Sequence, residues 1–232
     1  MINKTVYQTW HKKDVPSEIQ EHIDEMMSIN PSYKYEFYDD DDIFYFIKEN
    51  YDSEVLSAYE SLNIGTSKAD LWRYLVLYHN GGVYVDLDSK ININLDTLIN
   101  NDDRAIITRE GCDQMFVQWS LIFGKGHPIL ERTIDKCVER IKNRSTTDII
   151  QLTGPGPYSS SIHEILYPLG VDVYNSSDEE SNPIIQTDQP ESCRVFGTDY
   201  NQKITFRHKH SHVLGAHKTH WCIEVQQKSV FK

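Results

Sequence analysis

The sequence predicts an α/β fold in one domain, a central sheet flanked by helices. Three observations carry this. Short β-forming runs alternate with segments of helical period along the chain, the pattern of strands interleaved with covering helices. Val83-Tyr84-Val85 is wholly apolar and bounded by Gly81-Gly82 and Asp86, as expected of a short strand buried on both faces. A chain of 232 residues is long enough to close one substantial hydrophobic core.

The elements follow in order. Residues 2–9 alternate and are rich in β-formers, so they read as the first strand. Pro16 opens a helix that runs to about Ile29 and is stopped by Asn30-Pro31. Tyr33 to Tyr38 reads as a second strand. The acidic run Asp39 to Asp42 suits a helix N-terminus, where carboxylates satisfy free amides, and helical pattern continues to residue 61. Residues 66–79 form an amphipathic helix with Leu71, Tyr74, Leu75 and Tyr78 on one face, ended by Asn80-Gly81-Gly82. Ala105–Thr108 and Val117–Phe123 read as strands, and Pro128–Ile141 as a helix. Thr153-Gly154-Pro155-Gly156-Pro157 reads as a rigid turn before a helix at 158–167, and residues 175–191 as an exposed loop.

Composition removes several classes of function. A formal net charge of −12 leaves no basic surface for nucleic acid. The four cysteines have no CxxC pairing or metal-ligand spacing, so they read as free thiols in a reducing compartment. With no apolar run of membrane-spanning length and no signal-peptide pattern at the N-terminus, the expected location is cytoplasmic.

The chemistry concentrates around residue 86. A buried strand running into Asp86-Leu87-Asp88 brings two carboxylates to the C-terminal edge of the sheet, where ligands of open α/β sheets bind. Residues two apart on a strand share a face, so both carboxylates are expected to converge on one hard cation such as Mg²⁺ or Mn²⁺. Such an ion leaves positions for phosphate oxygens and neutralises a diphosphate leaving group. In the preceding helix, Asp70 and Arg73 lie three apart on one face. A surface ion pair is the ordinary reading of such a pair, but this helix feeds directly into the Asp-x-Asp strand. There the carboxylate and planar donor fork suit the hydroxyls of a sugar or ribose.

The run from Ser67 through Asp70, Arg73, Gly81, Gly82 and Tyr84 to Asp86 and Asp88 resembles the core motif of glycosyltransferase family 32, the DXD sugar-binding family. In that family a Ser directly precedes the Asp of the helix; here Ala69 stands before Asp70. Further matches cover most of the chain. Tyr7-Gln8-Thr9-Trp10 is similar to an H-Q-x-W strand, with Tyr in place of His. Gly124 to Pro128 resembles a K-x-G-H-P segment, upstream of which the family has Asn and this chain has Gln118. Thr153-Gly154-Pro155 resembles a T-G-P loop. His217-Lys218-Thr219-His220-Trp221 resembles a terminal H-x-x-x-S-W pattern, with His220 in place of Ser.

The resemblance implies a GT-A fold, a Rossmann-like mixed central sheet with helices on both faces, in a single domain spanning 1–232. Its nucleotide-sugar part would cover about 1–110, and its acceptor and closing part about 111–232. It implies a metal-dependent, retaining hexosyltransferase using a UDP- or GDP-sugar and a glycan or other hydroxyl acceptor. Asp70, Arg73, Asp86, Asp88 and Gln118 would serve the reaction. Gln8, Thr9, Trp10, Tyr84 and Trp221, with Asp70, Arg73 and Asp86, would hold the donor. Asp86, Asp88 and His217 or His220 would hold Mn²⁺ or Mg²⁺. Five of the ten histidines lie between His208 and His220, which reads equally as a solvated cationic tail.

Two other readings compete. A haloacid-dehalogenase-type phosphatase also has Asp-x-Asp after a strand, but on its first strand and with a later GDxxxD-like element, which is missing here. A non-catalytic nucleotide-sugar binding module would keep the same pocket residues.

Overall fold

The computed structural model describes residues 1–110, 115–169, 182–183, 190–196, 205–207 and 221–232, with side chains described for all but 182–183, 205–207 and 221. Strands are β1 (Thr5–Thr9), β2 (Lys34–Tyr38), β3 (Gly82–Val85), β4 (Ser89–Ile91), β5 (Ala105–Thr108), β6 (Ser120–Phe123), β7 (Asn182–Pro183), β8 (Arg194–Phe196) and β9 (Thr205–Arg207). Helices are α1 (Ser17–Ser28), α2 (Asp40–Asn50), α3 (Ser53–Ser61), α4 (Gly65–Asn80), α5 (Leu95–Leu98), α6 (Pro128–Lys142), α7 (Ile149–Leu152), α8 (Pro155–Leu166) and α9 (Trp221–Gln227).

The main sheet runs β2-β1-β3-β6-β5-β8-β7 and is mixed. β1 lies parallel to both β2 and β3, which is the Rossmann-like half. β6 pairs antiparallel with β3 and β5, and β8 is parallel to β5. A second, two-stranded sheet joins β4 to β9, with Ser89 opposite Arg207. The larger core lies between the sheet and α2, α3, α4, α6, α7 and α8, around Trp72, Tyr74, Tyr84 and Phe123. The other face is covered by α1 and α5 through Met26, Leu95 and Leu98.

Local chemistry explains where the elements begin and stop. The Asp39 carboxylate accepts the Asp42 N–H at 2.9 Å, and the Asp42 carboxylate accepts the Asp39 N–H at 3.0 Å. This reciprocal capping box starts α2 from the acidic run. Gly81 stops α4 at φ 69°, and Gly82 follows at φ 127°. A Cβ at Gly82 would stand 2.8 Å from the Thr5 carbonyl oxygen, so only glycine lets β3 enter beside β1.

The structure corrects several sequence expectations. α4 is not one-faced: residues 70–77 are all buried, because the helix is covered by the sheet on one side and by α2 and α6 on others. An all-round buried helix can carry polar groups on its interior faces, which the apolar spacing alone concealed. α8 starts at Pro155 rather than 158, since Pro at the first helical position needs no N–H partner. The strand expected over 117–123 is confined to Ser120–Phe123. Asn182–Pro183, inside the expected exposed loop, pair with β8 as an edge strand too short to have a period. Of the cysteines, Cys137 and Cys193 are buried free thiols, and Cys112 lies outside the described residues.

His127 caps α6 and gives the fold a pH dependence. Its Nδ1 accepts the Ile129 N–H at 3.3 Å, and its Nε2 lies 3.4 Å from the Ser192 carbonyl oxygen. Burial pushes this imidazole down to about 4, with Arg104 acting in the same direction and the Ser192 carbonyl against it. A depressed imidazole favours the neutral form in the folded state. Its contribution is therefore complete above the unfolded value of 6.5 and lost as pH falls toward 4. Unfolding titrations at stepwise lower pH should show wild type losing up to about 3 kcal/mol more than His127→Asn across that window. Parallel pH profiles would remove His127 as the source.

Candidate functional site

β1 and β3 end side by side at one edge of the sheet. The register Tyr7↔Tyr84 brings Thr9 to the level of Asp86. α4 packs beneath this edge and delivers Asp70 and Arg73 one turn apart, each only 2% exposed. Arg73 Nη2 lies 3.0 Å from Asp70 Oδ1 and 3.2 Å from Asp86 Oδ1. Its Nη1 donates to the Gln118 carbonyl oxygen at 2.9 Å, and the guanidinium sits 4.7 Å from the centre of the Tyr84 ring. The pair is therefore an interior relay from α4 to the Asp-x-Asp segment, not a surface salt bridge.

Each carboxylate is held by further donors. Gln118 Nε2 donates to Asp70 Oδ1 at 3.2 Å, and Thr153 Oγ1 donates to Asp70 Oδ2 at 3.1 Å. Burial pushes the Asp70 carboxyl up, while Arg73, Gln118 and Thr153 favour its ionised form. The Tyr84 hydroxyl donates to Asp86 Oδ1 at 2.7 Å. Burial raises that phenol well above its ordinary value despite the neighbouring Arg73, so it stays a proton donor. Arg73 is raised against its burial by Asp86, Tyr84 and Asp70, and remains charged.

The Asp-x-Asp geometry differs from the strand argument. β3 ends at Val85, and the Ser89 N–H donates to the Asp86 carbonyl oxygen at 2.9 Å. Asp86 to Ser89 is thus a turn, and strand alternation does not relate the two carboxylates. Leu87 anchors the turn instead. Its buried side chain packs with Ile19 and Ile23 of α1, and Trp10 joins the same cluster. Asp86 and Asp88 remain partly exposed, and the Asp86 side chain retains 23% exposure at the sheet edge. The Ser89 hydroxyl donates to Asp88 Oδ1 at 3.2 Å.

The remaining expected residues divide. Gln8 is 1% exposed; its Oε1 accepts the Tyr35 hydroxyl at 3.0 Å, and its Nε2 donates to the Asp86 carbonyl oxygen at 3.2 Å. Thr9 Oγ1 donates to the Tyr38 carbonyl oxygen at 2.8 Å. Both side chains brace β1 against its neighbours. Trp10, half-buried at the end of β1, lies with its ring 4.7 Å from that of His11. His217 and His220 lie outside the described residues, as does the Trp221 side chain. Thr153 is the contact that sequence reading missed. Its T-G-P motif was visible, but nothing in the chain order links residue 153 to residue 70.

Arg73 pairs with both Asp70 and Asp86, and the partly exposed Asp86 and Asp88 present hard oxygen donors of the kind that hold a divalent cation. No group of three or more candidate metal ligands occurs among the described residues.

The mixed sheet, with an Asp-x-Asp turn at its edge and a buried Asp–Arg relay behind it, defines the GT-A class of fold. The structure aligns with that of PaToxG glycosyltransferase at a TM-score of 0.59 and 18% identity, over 72% of this chain and 71% of that one. Residues 16–105 match the glycosyltransferase sugar-binding region containing the DXD motif, which contains α4, β3 and the Asp86–Asp88 turn. An uncharacterized glycosyltransferase of Acanthamoeba polyphaga mimivirus is 36% identical over 97 residues, 41% of this chain and 39% of that protein. A mannosyl phosphorylinositol ceramide synthase of Saccharomyces cerevisiae is 35% identical over 99 residues, 43% of this chain and 26% of that protein. The initiation-specific α-1,6-mannosyltransferase of Candida albicans is 24% identical over 203 residues, covering 70% of this chain and 53% of that protein. The chain thus spans about a quarter to a half of the length of these relatives. No helix among the described residues is long and apolar enough to cross a membrane.

Proposed function

We propose that this protein transfers a hexose from a UDP- or GDP-sugar to a hydroxyl of a glycan or other acceptor, with Mn²⁺ or Mg²⁺ and with retention at the anomeric carbon. One observation carries this reading: the Asp86 carboxylate, at the open edge of the sheet, is tied through Arg73 to the buried Asp70 inside the matched DXD region. Asp86 and Asp88 would hold the cation, which when bound supplies Lewis-acid neutralisation of the diphosphate leaving group. Asp70 and Arg73 would orient donor hydroxyls, with Gln118 beside them. The end of β1 at Trp10 would receive the base, and Trp221 would close against the donor. The nucleotide-sugar part is about 1–110, and the acceptor and closing part about 111–232.

His217, with His220 second, would be the third ligand. The strand that precedes them supports this. β9 lies beside Ser89, the residue after Asp88.

The test is a thermal-shift screen of UDP- and GDP-sugars with and without Mn²⁺, paired with nucleotide release. A donor present at about a hundred times its Kd stabilises by about 2.7 kcal/mol. Stabilisation that needs both sugar nucleotide and Mn²⁺, with nucleotide release, is expected. Stabilisation without release would make the chain a binding module. No response to any donor would remove the proposal.

A further inference from the structure

We propose that Thr153 is a positioning residue for sugar transfer, holding the Asp70 carboxylate in its working rotamer from the corner between α7 and α8. This rests on the reading of Asp70 as a donor-hydroxyl ligand.

The contacts on Asp70 are unequal. Arg73 and Gln118 both engage Oδ1, at 3.0 and 3.2 Å. Thr153 Oγ1 engages Oδ2 at 3.1 Å. Arg73 and Gln118 act on one oxygen only, which leaves the torsion about the bond to the Asp70 Cβ to be set at the other. Thr153 approaches the other oxygen and so fixes that torsion. A second bond holds the same corner to α4 one turn further on: the Tyr74 hydroxyl donates to the Gly154 carbonyl oxygen at 3.1 Å. Asp70 and Tyr74 lie four apart on one face of α4, so the corner grips the helix at two points.

The corner itself is built to stay in place. Thr153 and Tyr74 are fully buried. The Thr153 and Gly154 N–H groups both donate to the Ile149 carbonyl oxygen, at 3.2 and 2.9 Å. A Cβ at Gly154 would stand 2.9 Å from the Ile150 Cα, so the chain can pass here only as glycine. Pro155 then fixes φ at the first position of α8. The Thr153 hydroxyl is thus presented from rigid backbone. A side chain held this way sets an angle rather than merely adding a bond, and transfer depends on angle.

Hydroxyl and methyl separate cleanly at this position. Thr153→Val keeps the buried shape and removes the donor, whereas Thr153→Ser keeps the donor and removes a methyl group. Nucleotide release from the active donor with Mn²⁺ is measured for wild type, both variants and Tyr74→Phe, alongside Tm and the affinity for UDP or GDP with Mn²⁺. The expected result is that Thr153→Val loses at least 10-fold in kcat/KM. Thr153→Ser should stay within about 3-fold despite a lower Tm, and nucleoside diphosphate affinity should be unchanged in both. Wild-type kcat/KM in Thr153→Val, or losses in the two variants that simply follow their Tm, would overturn the assignment while leaving the transferase reading intact. Failure of wild type to release nucleotide from any donor would remove that reading, and this one with it.

Discussion

Asp88→Asn is expected to lower transfer at least 100-fold while leaving the unfolding midpoint close to wild type. Asp88 is partly exposed on the turn that follows β3, and its Oδ1 accepts the neighbouring Ser89 hydroxyl. An amide of the same shape keeps an oxygen that can accept that bond. The chemistry has much to lose, because an amide oxygen is a far weaker ligand for a hard cation and carries no charge to hold it. Removing one preorganised electrostatic contact to a developing charge typically costs 10²–10³ in rate. The assay is initial-rate nucleotide release at saturating donor across a Mn²⁺ titration. Rates matching wild type at every Mn²⁺ concentration would sink the assignment of Asp88 as a metal ligand.

Arg73→Ala is expected to destabilise the protein by about 3–5 kcal/mol, as for removal of one partner from a buried ion pair. As a residue that orients the donor, Arg73 would matter for turnover. Its burial between Asp70 and Asp86, under the Tyr84 ring, adds the stability cost. Truncation leaves Asp70, itself 2% exposed, with an interior charge and only neutral donors. Replacing Asp70 with Asn in the same chain removes that charge, so the double variant should recover part of the loss. A double-mutant cycle by urea unfolding, read at constant m, measures the coupling. A loss below about 1 kcal/mol for Arg73→Ala, with additivity in the cycle, would place the pair in the energetic class of exposed salt bridges.

Much of this protein is legible in the linear chain because it is set by neighbours in sequence. The apolar Val83-Tyr84-Val85 run, the Gly81-Gly82 break and the capping acids of α2 depend on residues within a few positions, and each lies where its chemistry predicts. The Asp70–Arg73 pair was legible for the same reason, since three-residue spacing on a helix brings side chains together. What it touches next was not. Asp86, Gln118 and Thr153 reach the pair from 13 to 83 positions away, and such contacts exist only after the sheet has closed and α7–α8 has packed on α4.

The sequence alone determined the α/β class, the Asp-x-Asp segment and the helix that serves it. Tertiary structure decided that this helix is buried on all sides, that the two carboxylates sit on a turn anchored by Leu87 rather than along a strand, and that Gln8 and Thr9 brace β1. The division has a physical cause. Periodicity and capping are short-range and leave a mark on the order of residues. Burial, charge pairing and carboxylate orientation depend on which distant surfaces meet, and no local spacing records that.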